Sequence, residues 1–286
     1  MEIQNKPLDP GLYFVATPIG AARDITLRAL DILASADVIA AEDTRTAKHL
    51  MQIHGITLGE RPVIAYHDHS APGLRDKIVA MIAEGKSVAY ASEAGTPLVA
   101  DPGFQLARAA IAAGQTVTTA PGPSAVLAAL TVSGLPTDRF LFAGFPPTAK
   151  GARSKALAEL AAIPATLVLY ESPKRVHRLL GELVQSFGED RQAVVCRELT
   201  KRFEEVARGT LAELAQTFAD RAVKGEIVVL VDRAPEVQAD AQTLEEALRA
   251  ALPRKSVKDA AAEVAAALNL PRRQVYQEAL RLAGEE

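Results

Sequence analysis

Residues 11–45 read GLYFVATPIGAARDITLRALDILASADVIAAEDTR, and the change of period along this stretch decides the fold. Leu12 to Ala16 is an unbroken apolar run that stops at Thr17-Pro18-Ile19-Gly20. A short apolar run closed by a turn predicts a strand buried on both faces. Asp24 then stands at a helix N-cap position, and Leu27, Leu30 and Ala34 lay out one apolar helical face. Val38 to Ala41 is the next strand, followed by a polar corner and a helix from about Thr44. Strand, helix and strand of these lengths form a crossover unit, which requires parallel pairing.

The alternation continues outward. Strands are predicted at Val63 to Ala65, Ser87 to Ala91 and Val117 to Thr119, so the first block is a mostly parallel sheet. A second block runs from Phe140 to Arg233, with strands at 140–143, 166–170, 193–198 and 226–231 and helices at 150–162, 173–187 and 210–219. Ser172-Pro173 reads as a helix start, and Thr210 with Glu213 as a capping box. Pro136 and Thr137 mark the boundary between blocks, and residues 234–241 read as a linker. From Thr243 the pattern is three helices in a helix–turn–helix outline. Val257, Ala261, Val264 and Leu268 share a face, Asn269-Leu270-Pro271 separates two helices, and Val275, Ala279 and Leu282 form the next face. The predicted class is α/β, with α/β domains at 1–136 and 137–233 and a small helical tail at 242–286.

Composition narrows the function. The chain has 286 residues and is 49% hydrophobic and 23% charged, which is ordinary for a globular protein and too apolar for a disordered one. Its single cysteine, Cys196, excludes an internal disulfide framework, fits a reducing, cytoplasmic setting and reads as core packing. The start MEIQNKPLDP carries neither a basic segment nor an apolar one, so no signal peptide is expected. Residues 109–137 carry no charge, but Gly114, Pro121, Gly122, Pro123 and Gly134 interrupt them, which fits buried globular structure and no membrane span. Net charge is −3, yet residues 150–178 sum to +4 and residues 253–283 to +3, so basic charge is concentrated in two segments.

Ligands of open α/β sheets bind at the carboxyl ends of strands. Three such loops here are rich in Pro and Gly: Thr17 to Gly20; Ser92-Glu93-Ala94-Gly95-Thr96-Pro97, closing at Asp101-Pro102-Gly103; and Pro121-Gly122-Pro123-Ser124. Together they predict a rigid cleft that exposes backbone N–H and C=O groups to a small zwitterionic ligand. No G-x-x-x-x-G-K-[ST] loop, no G-x-G-x-x-G after the first strand and no G-x-S-x-G elbow is present.

These loops, with Asp24-Ile25-Thr26, Ala41-Glu42-Asp43-Thr44-Arg45, His67-Asp68-His69, Tyr170-Glu171-Ser172, Arg197-Glu198-Leu199-Thr200-Lys201 and Lys224-Gly225-Glu226, occur in an order that resembles the tetrapyrrole methylase family of S-adenosyl-L-methionine enzymes, and within it the members that act on ribosomal RNA. The likeness is strong over roughly residues 11–233 and looser in the tail. It implies two α/β domains with the cofactor in the cleft between them, a homodimer, and methylation of the ribose 2′-hydroxyl of a cytidine in the decoding region of small-subunit ribosomal RNA. It also implies cofactor contacts from Pro18, Ser92, Glu93, Ala94, Gly95, Thr96, Pro97, Pro121, Gly122, Ser124 and Tyr170. The chain departs from the family pattern at Ala21-Ala22, where Asn-Leu is usual, and at Glu93, where Asp is usual.

A ribose hydroxyl benefits from a base within hydrogen-bond reach. Asp43, His67 and Glu198 are the candidates; for Asp43 a helix N-cap is the competing role, and for Glu198 an ion pair with Arg197. His67 and His69 share a face of an extended segment, but nothing nearby completes a metal site, so none is expected. Arg45 is a phosphate contact or a partner of Glu42. Lys150, Arg153, Lys155, Lys174, Arg175 and Arg178 are read as a basic rim beside the cleft, and Arg197 and Lys201 as further RNA contacts. Arg254, Lys255, Lys258, Arg272 and Arg273 make the tail a second RNA surface. The expected partner is small-subunit ribosomal RNA or the 30S subunit. Aromatics are only 5% and Trp is absent, so phosphate, ribose and shape should dominate recognition over base stacking. Two other readings stand beside this one: a methylase of the same fold acting on a tetrapyrrole or another small molecule, and a non-catalytic RNA-binding assembly protein.

Overall fold

The computed structural model describes residues 3–67, 70, 72–234, 241–268, 270 and 272–284. The first half alternates β1 (Gly11–Val15), α1 (Leu27–Ser35), β2 (Val38–Ala41), α2 (Thr44–Ile53), β3 (Val63–Ala65), α3 (Pro72–Ala83), β4 (Ser87–Ala91), α4 (Phe104–Ala112), β5 (Val117–Ala120) and α5 (Ala125–Ser133). Its five strands form one sheet in the order β3-β2-β4-β1-β5, parallel throughout as the crossover reading requires. β2 and β4 are buried at every position because helices cover both faces. Leu30, Leu33 and Met51 pack on one face, and Ile78, Ile82 and Leu106 on the other.

The second half contains β6 (Phe140–Gly144), α6 (Lys150–Ala161), β7 (Thr166–Glu171), α7 (Val176–Phe187), β8 (Gln192–Arg197), β9 (Glu205–Thr210), α8 (Leu211–Phe218) and β10 (Ile227–Val231). The sheet order is β6-β7-β10-β8-β9. Only β6 and β7 pair in parallel; the other pairings are antiparallel. Leu157, Leu179, Leu183 and Leu214 cover one face. The other face receives Val126, Ala129 and Leu130 of α5, packed on Val168, Val194 and Leu230. This explains the uncharged stretch 109–137: α5 belongs by sequence to the first half and packs on the second sheet. Both sheets thereby lie in one compact unit, Met1–Arg233. Cys196 sits in the same layer, where burial pushes its thiol up to about 12.

Three local expectations need correction. The N-cap of α1 is Thr26, whose hydroxyl accepts from the Ala29 N–H, and not Asp24; the buried face is accordingly Ala29, Leu30, Ile32 and Leu33. α7 begins at Val176, three residues after Pro173. The Glu171 carboxylate binds the Ser172 N–H and the Arg175 side chain, and this holds residues 172–175 in a turn. β9 is a strand that the sequence pattern does not predict, because EVARGT is a half-exposed edge strand whose polar residues hide the alternation. The capping box of α8, Thr210 with Glu213, is present as the spacing predicts.

From Ala234 the chain is a second compact unit. It comprises α9 (Ala241–Ala251), a 3₁₀ turn (Leu252–Arg254), α10 (Val257–Ala267) and α11 (Arg272–Ala283). Ala261, Val264, Val275, Ala279 and Leu282 are buried together with Leu244 and Leu248, while Val257 and Leu268 lie at the margin of that core. Asn269 and Pro271, and most of the predicted linker, lie outside the described residues.

Candidate active site

The three predicted loops do converge. Thr17 and Gly95 exchange backbone hydrogen bonds of 2.9 and 3.0 Å, and the Thr96 hydroxyl donates to the Pro123 carbonyl at 2.9 Å. The Ser92 hydroxyl is buried inside its own loop, donating to the Gly95 carbonyl at 2.6 Å. Gly95 takes a left-handed backbone, φ +85°, and a Cβ there would stand 3.3 Å from Ile19. Leu98 and Ala100 are left-handed without being glycine, so the β4–α4 loop holds backbone strain of the sort that collects at functional sites.

Opposite these loops lie the ends of β7 and β10 and the β8–β9 connection. The two walls enclose a cleft of about 660 Å³, within the range usual for small-molecule sites. Pro18, Glu93, Ala94, Gly95, Thr96 and Ser124 line it from the first half, and Tyr170 from the second. Ser92, Pro97, Pro121 and Gly122 are not among the lining residues; Gly122 instead packs closely on Ala16, and the Pro121 carbonyl accepts from the Thr26 hydroxyl. Burial and Glu226 push the Tyr170 hydroxyl up to about 12, and it accepts a hydrogen bond from the Val126 backbone.

The walls are acidic. Glu42, Glu93, Asp101, Glu171 and Glu226 all line the cleft. Burial raises the Glu93 carboxyl above the usual carboxylate range, and the negative charges of Glu42, Asp43 and Glu226 raise it further. Lys201 is the one basic side chain lining the cleft among the described residues. Its ammonium binds Glu198 at 2.8 Å and Glu226 at 3.0 Å. The Lys201 bond is the main reason that Glu198 is held below the usual carboxylate range. Glu198 and Thr200 are both left-handed, and the Ala21 N–H donates to the Thr200 hydroxyl at 3.1 Å, which joins the two walls.

The other candidates are placed differently. Asp43 caps α2: it accepts from the Arg45 and Thr46 N–H groups and from the Arg45 guanidinium, which holds its carboxyl down at about 2. Arg45 therefore pairs with Asp43, not with Glu42. His67 is exposed beyond β3 and is not among the residues that line the cleft, and its backbone N–H donates to the Ser70 hydroxyl. His69 lies outside the described residues, among which no cluster of metal-ligating side chains occurs.

The basic rim requires one clear correction. Arg153 is 1% exposed and inside the fold, where its guanidinium donates to Glu171 at 2.7 Å and to Glu182. The stretch 150–157 has the right charge for phosphate, but α6 turns this position inward. Arg175 pairs with Glu171, Arg178 with Glu182, and Arg197 with Glu205. Lys150 and Lys174 are exposed with no ion pair among the described residues, and Arg272 and Arg273 are exposed on the tail. Sequence reasoning assigns no role to Phe145 or Glu226, which line the cleft. The Lys224-Gly225-Glu226 motif is a signal for the second, whereas nothing in the local pattern separates Phe145 from a core aromatic.

Comparison with known proteins agrees with this geometry. The model of the tetrapyrrole (corrin/porphyrin) methylases matches residues 11–215, and that of the RsmI C-terminal HTH domain matches residues 238–283. The chain is 52% identical to the ribosomal RNA small subunit methyltransferase I of Mesorhizobium japonicum, over 84% of this chain and 80% of that protein. It is 45% identical to the protein of the same name from Xylella fastidiosa strain Temecula1, over 93% and 98% respectively. Among solved structures, cobalt precorrin-4 methyltransferase superposes with a TM-score of 0.58 at 18% identity, over 77% of this chain and 94% of that one. Uroporphyrin-III C-methyltransferase from Thermus thermophilus, complexed with S-adenyl homocysteine, gives 0.53 at 20% identity, over 77% and 96%. At these identities the likeness to the solved structures is one of fold.

Proposed function

The chain belongs to the tetrapyrrole methylase family, and from that premise we propose that it transfers the methyl group of S-adenosyl-L-methionine to the ribose 2′-hydroxyl of a decoding-region cytidine in small-subunit ribosomal RNA. The observation that carries the reading is the near-full-length match, helical tail included, to proteins named for methylating that RNA. The enzyme is read as a cytoplasmic homodimer acting on the RNA or the 30S subunit. No helix among the described residues is long and apolar enough to cross a membrane.

The cleft suits the cofactor on its own terms. Its volume is adequate, the left-handed Gly95 lets the β4–α4 loop pack against Ile19 in the cleft wall, and acidic walls favour a ligand carrying ammonium and sulfonium charges. When bound, S-adenosyl-L-methionine supplies an electrophilic methyl group on a cationic sulfur. The three linked loops hold that ligand in one orientation, and an in-line displacement depends chiefly on such alignment. Glu93 meets the positive charge. Lys201 shares its ammonium between Glu198 and Glu226 and so stiffens the opposite wall, leaving phosphate contact to Lys150, Lys174, Arg272 and Arg273. Asp43 serves as the helix cap: a carboxyl at about 2 is a weak proton acceptor at neutral pH.

Calorimetric titration tests the first step, with about one S-adenosyl-L-methionine bound per chain as the expected result. Mapping of methyl groups on 30S subunits then tests the acceptor; a methyl on free porphyrinogen and none on RNA would replace it. The affinity should depend on pH with a definite sign. The raised Glu93 pKa means that the ionised form, which attracts the cation, is complete only above that value. Affinity therefore falls as pH drops through it, binding expels a proton, and Glu93→Gln flattens the profile. Asp43→Asn, which still caps, should retain methylation, whereas Asp43→Ala, which does not, should lower the melting temperature. Loss of activity in Asp43→Asn with an intact melting transition would return Asp43 to the role of base.

A further inference from the structure

β6 does not run evenly to its end. Its parallel register with β7 breaks between Phe142 and Gly144, and Gly144 is left-handed, φ +65°. An extra residue of this kind re-aims the side chain that follows, and that side chain is Phe145. It stands on the cleft wall and is 54% exposed. Scattered exposed apolar residues are normal on a protein surface; this one differs in that its ring is packed along one edge and its following backbone is tied to the interior. Its ring packs edge-on to Tyr170, centroids 5.5 Å apart at 67°, and Tyr170 packs in turn on Phe142 at 4.8 Å. On the other side Pro146 and Pro147 restrict the backbone, and their carbonyls accept from the buried Arg153 guanidinium at 3.5 and 3.4 Å. One edge of the ring and the backbone that carries it are thus held by the fold, which lowers the ordering cost of binding against it.

A flat apolar surface with no hydrogen-bonding group, fixed in the wall of a polar cleft, suits a flat π-system. We propose that Phe145 is a stacking platform for a nucleobase. The inference rests on the methyl-transfer reading, whose two reactants each carry a base: the adenine of S-adenosyl-L-methionine and the base of the acceptor nucleotide. Aromatic stacking tolerates either, since every base has a π-face.

The test uses the full chain with Phe145→Trp, Phe145→Leu and Phe145→Ala. Each variant is titrated with S-adenosyl-L-methionine alone, and its Michaelis constant for the small ribosomal subunit is measured at saturating cofactor. Leu keeps apolar bulk without a π-face, and Trp enlarges the face. The expected result is that Leu and Ala weaken one of the two interactions by about five- to hundredfold, the range of base–aromatic stacking, and that Trp preserves it. Weaker binding in the titration assigns the platform to adenine, and a raised Michaelis constant assigns it to the acceptor base. Leu behaving like Trp, or no variant changing either quantity, overturns the platform while the wild type still binds and methylates. A wild type that binds no S-adenosyl-L-methionine overturns the functional reading itself, and the platform with it.

Discussion

Arg153→Ala is expected to destabilise the protein by about 3 kcal/mol, the lower end of the cost of breaking a buried ion pair, because Arg175 still reaches the other oxygen of the carboxylate left behind. The stranded group is Glu171, which is 2% exposed. One of its oxygens takes the Arg153 guanidinium, and the other takes the Ser172 N–H at 2.8 Å and Arg175 Nε at 2.7 Å. Removing Arg153 also releases the carbonyls of Pro146 and Pro147. Equilibrium urea unfolding, followed by far-UV circular dichroism because the chain has no Trp, measures the loss. Arg178→Ala is the control: Arg178 pairs with Glu182 in a partly exposed setting, Glu182 keeps its bond to Arg153, and such pairs contribute about 0–1 kcal/mol. Equal effects of the two substitutions would refute the interior role of Arg153. So would an Arg153→Ala protein that is fully stable and weakened only in binding RNA.

The pH dependence follows from the same network. Burial alone would raise the Glu171 carboxyl, but the hydrogen bonds from Ser172, Arg153 and Arg175 outweigh it and hold it low. A carboxylate whose folded-state pKa is depressed contributes stability that is complete above its unfolded value and is lost as pH falls through the folded one. The wild type should therefore lose this contribution on acidification below about pH 4.5, near the ordinary Glu value, and Arg153→Ala should lose less.

Gly20→Val is expected to lower kcat/KM by about a hundredfold, the penalty for small misplacements of reacting groups, while the sheets stay folded. A Cβ on Gly20 would lie 2.5 Å from Lys201 Cγ, 2.5 Å from the Thr200 hydroxyl and 3.0 Å from the Leu199 carbonyl oxygen. The opposite wall has little room to yield. Thr200 is already left-handed, its N–H is held by Glu204, and its hydroxyl is bound by Ala21. The clash must separate the two walls that line the cleft, and on the proposed function their spacing sets the positions of methyl donor and acceptor. Steady-state kinetics with 30S subunits measures the effect. Gly181→Ala, on the open side of α7 with nothing within 4 Å of the new Cβ, should keep full activity and gain about 1 kcal/mol from helix propensity. Wild-type kinetics in Gly20→Val would show that the contact between the walls is irrelevant to catalysis.

Much of this molecule is legible in the sequence. The first sheet follows from apolar runs alternating with helical faces, because a parallel strand buried on both sides must be apolar throughout. Loop chemistry places the cleft, since Pro and Gly at three strand ends constrain the backbone locally and need no distant partner. β9 and the start of α7 are not legible. An edge strand shows weak alternation, and the turn at 172–175 is set by the Glu171 carboxylate and not by the Ser-Pro signal.

Side-chain roles divide along the same line. Local sequence determined what depends on the nearest few residues: strand and helix type, the Thr210–Glu213 capping box, the capping position of Asp43, and the family motifs in their order. Only the tertiary structure decided which charges are spent internally and which face the cleft. Arg153 and Lys150 lie in the same basic run, yet one is buried between Glu171 and Glu182 and the other is exposed. Likewise Phe145 is indistinguishable from a core aromatic until the bulge in β6 and the Tyr170 contact place it in the cleft wall. Burial and charge pairing arise between residues far apart along the chain, and those distances are fixed only when the elements pack.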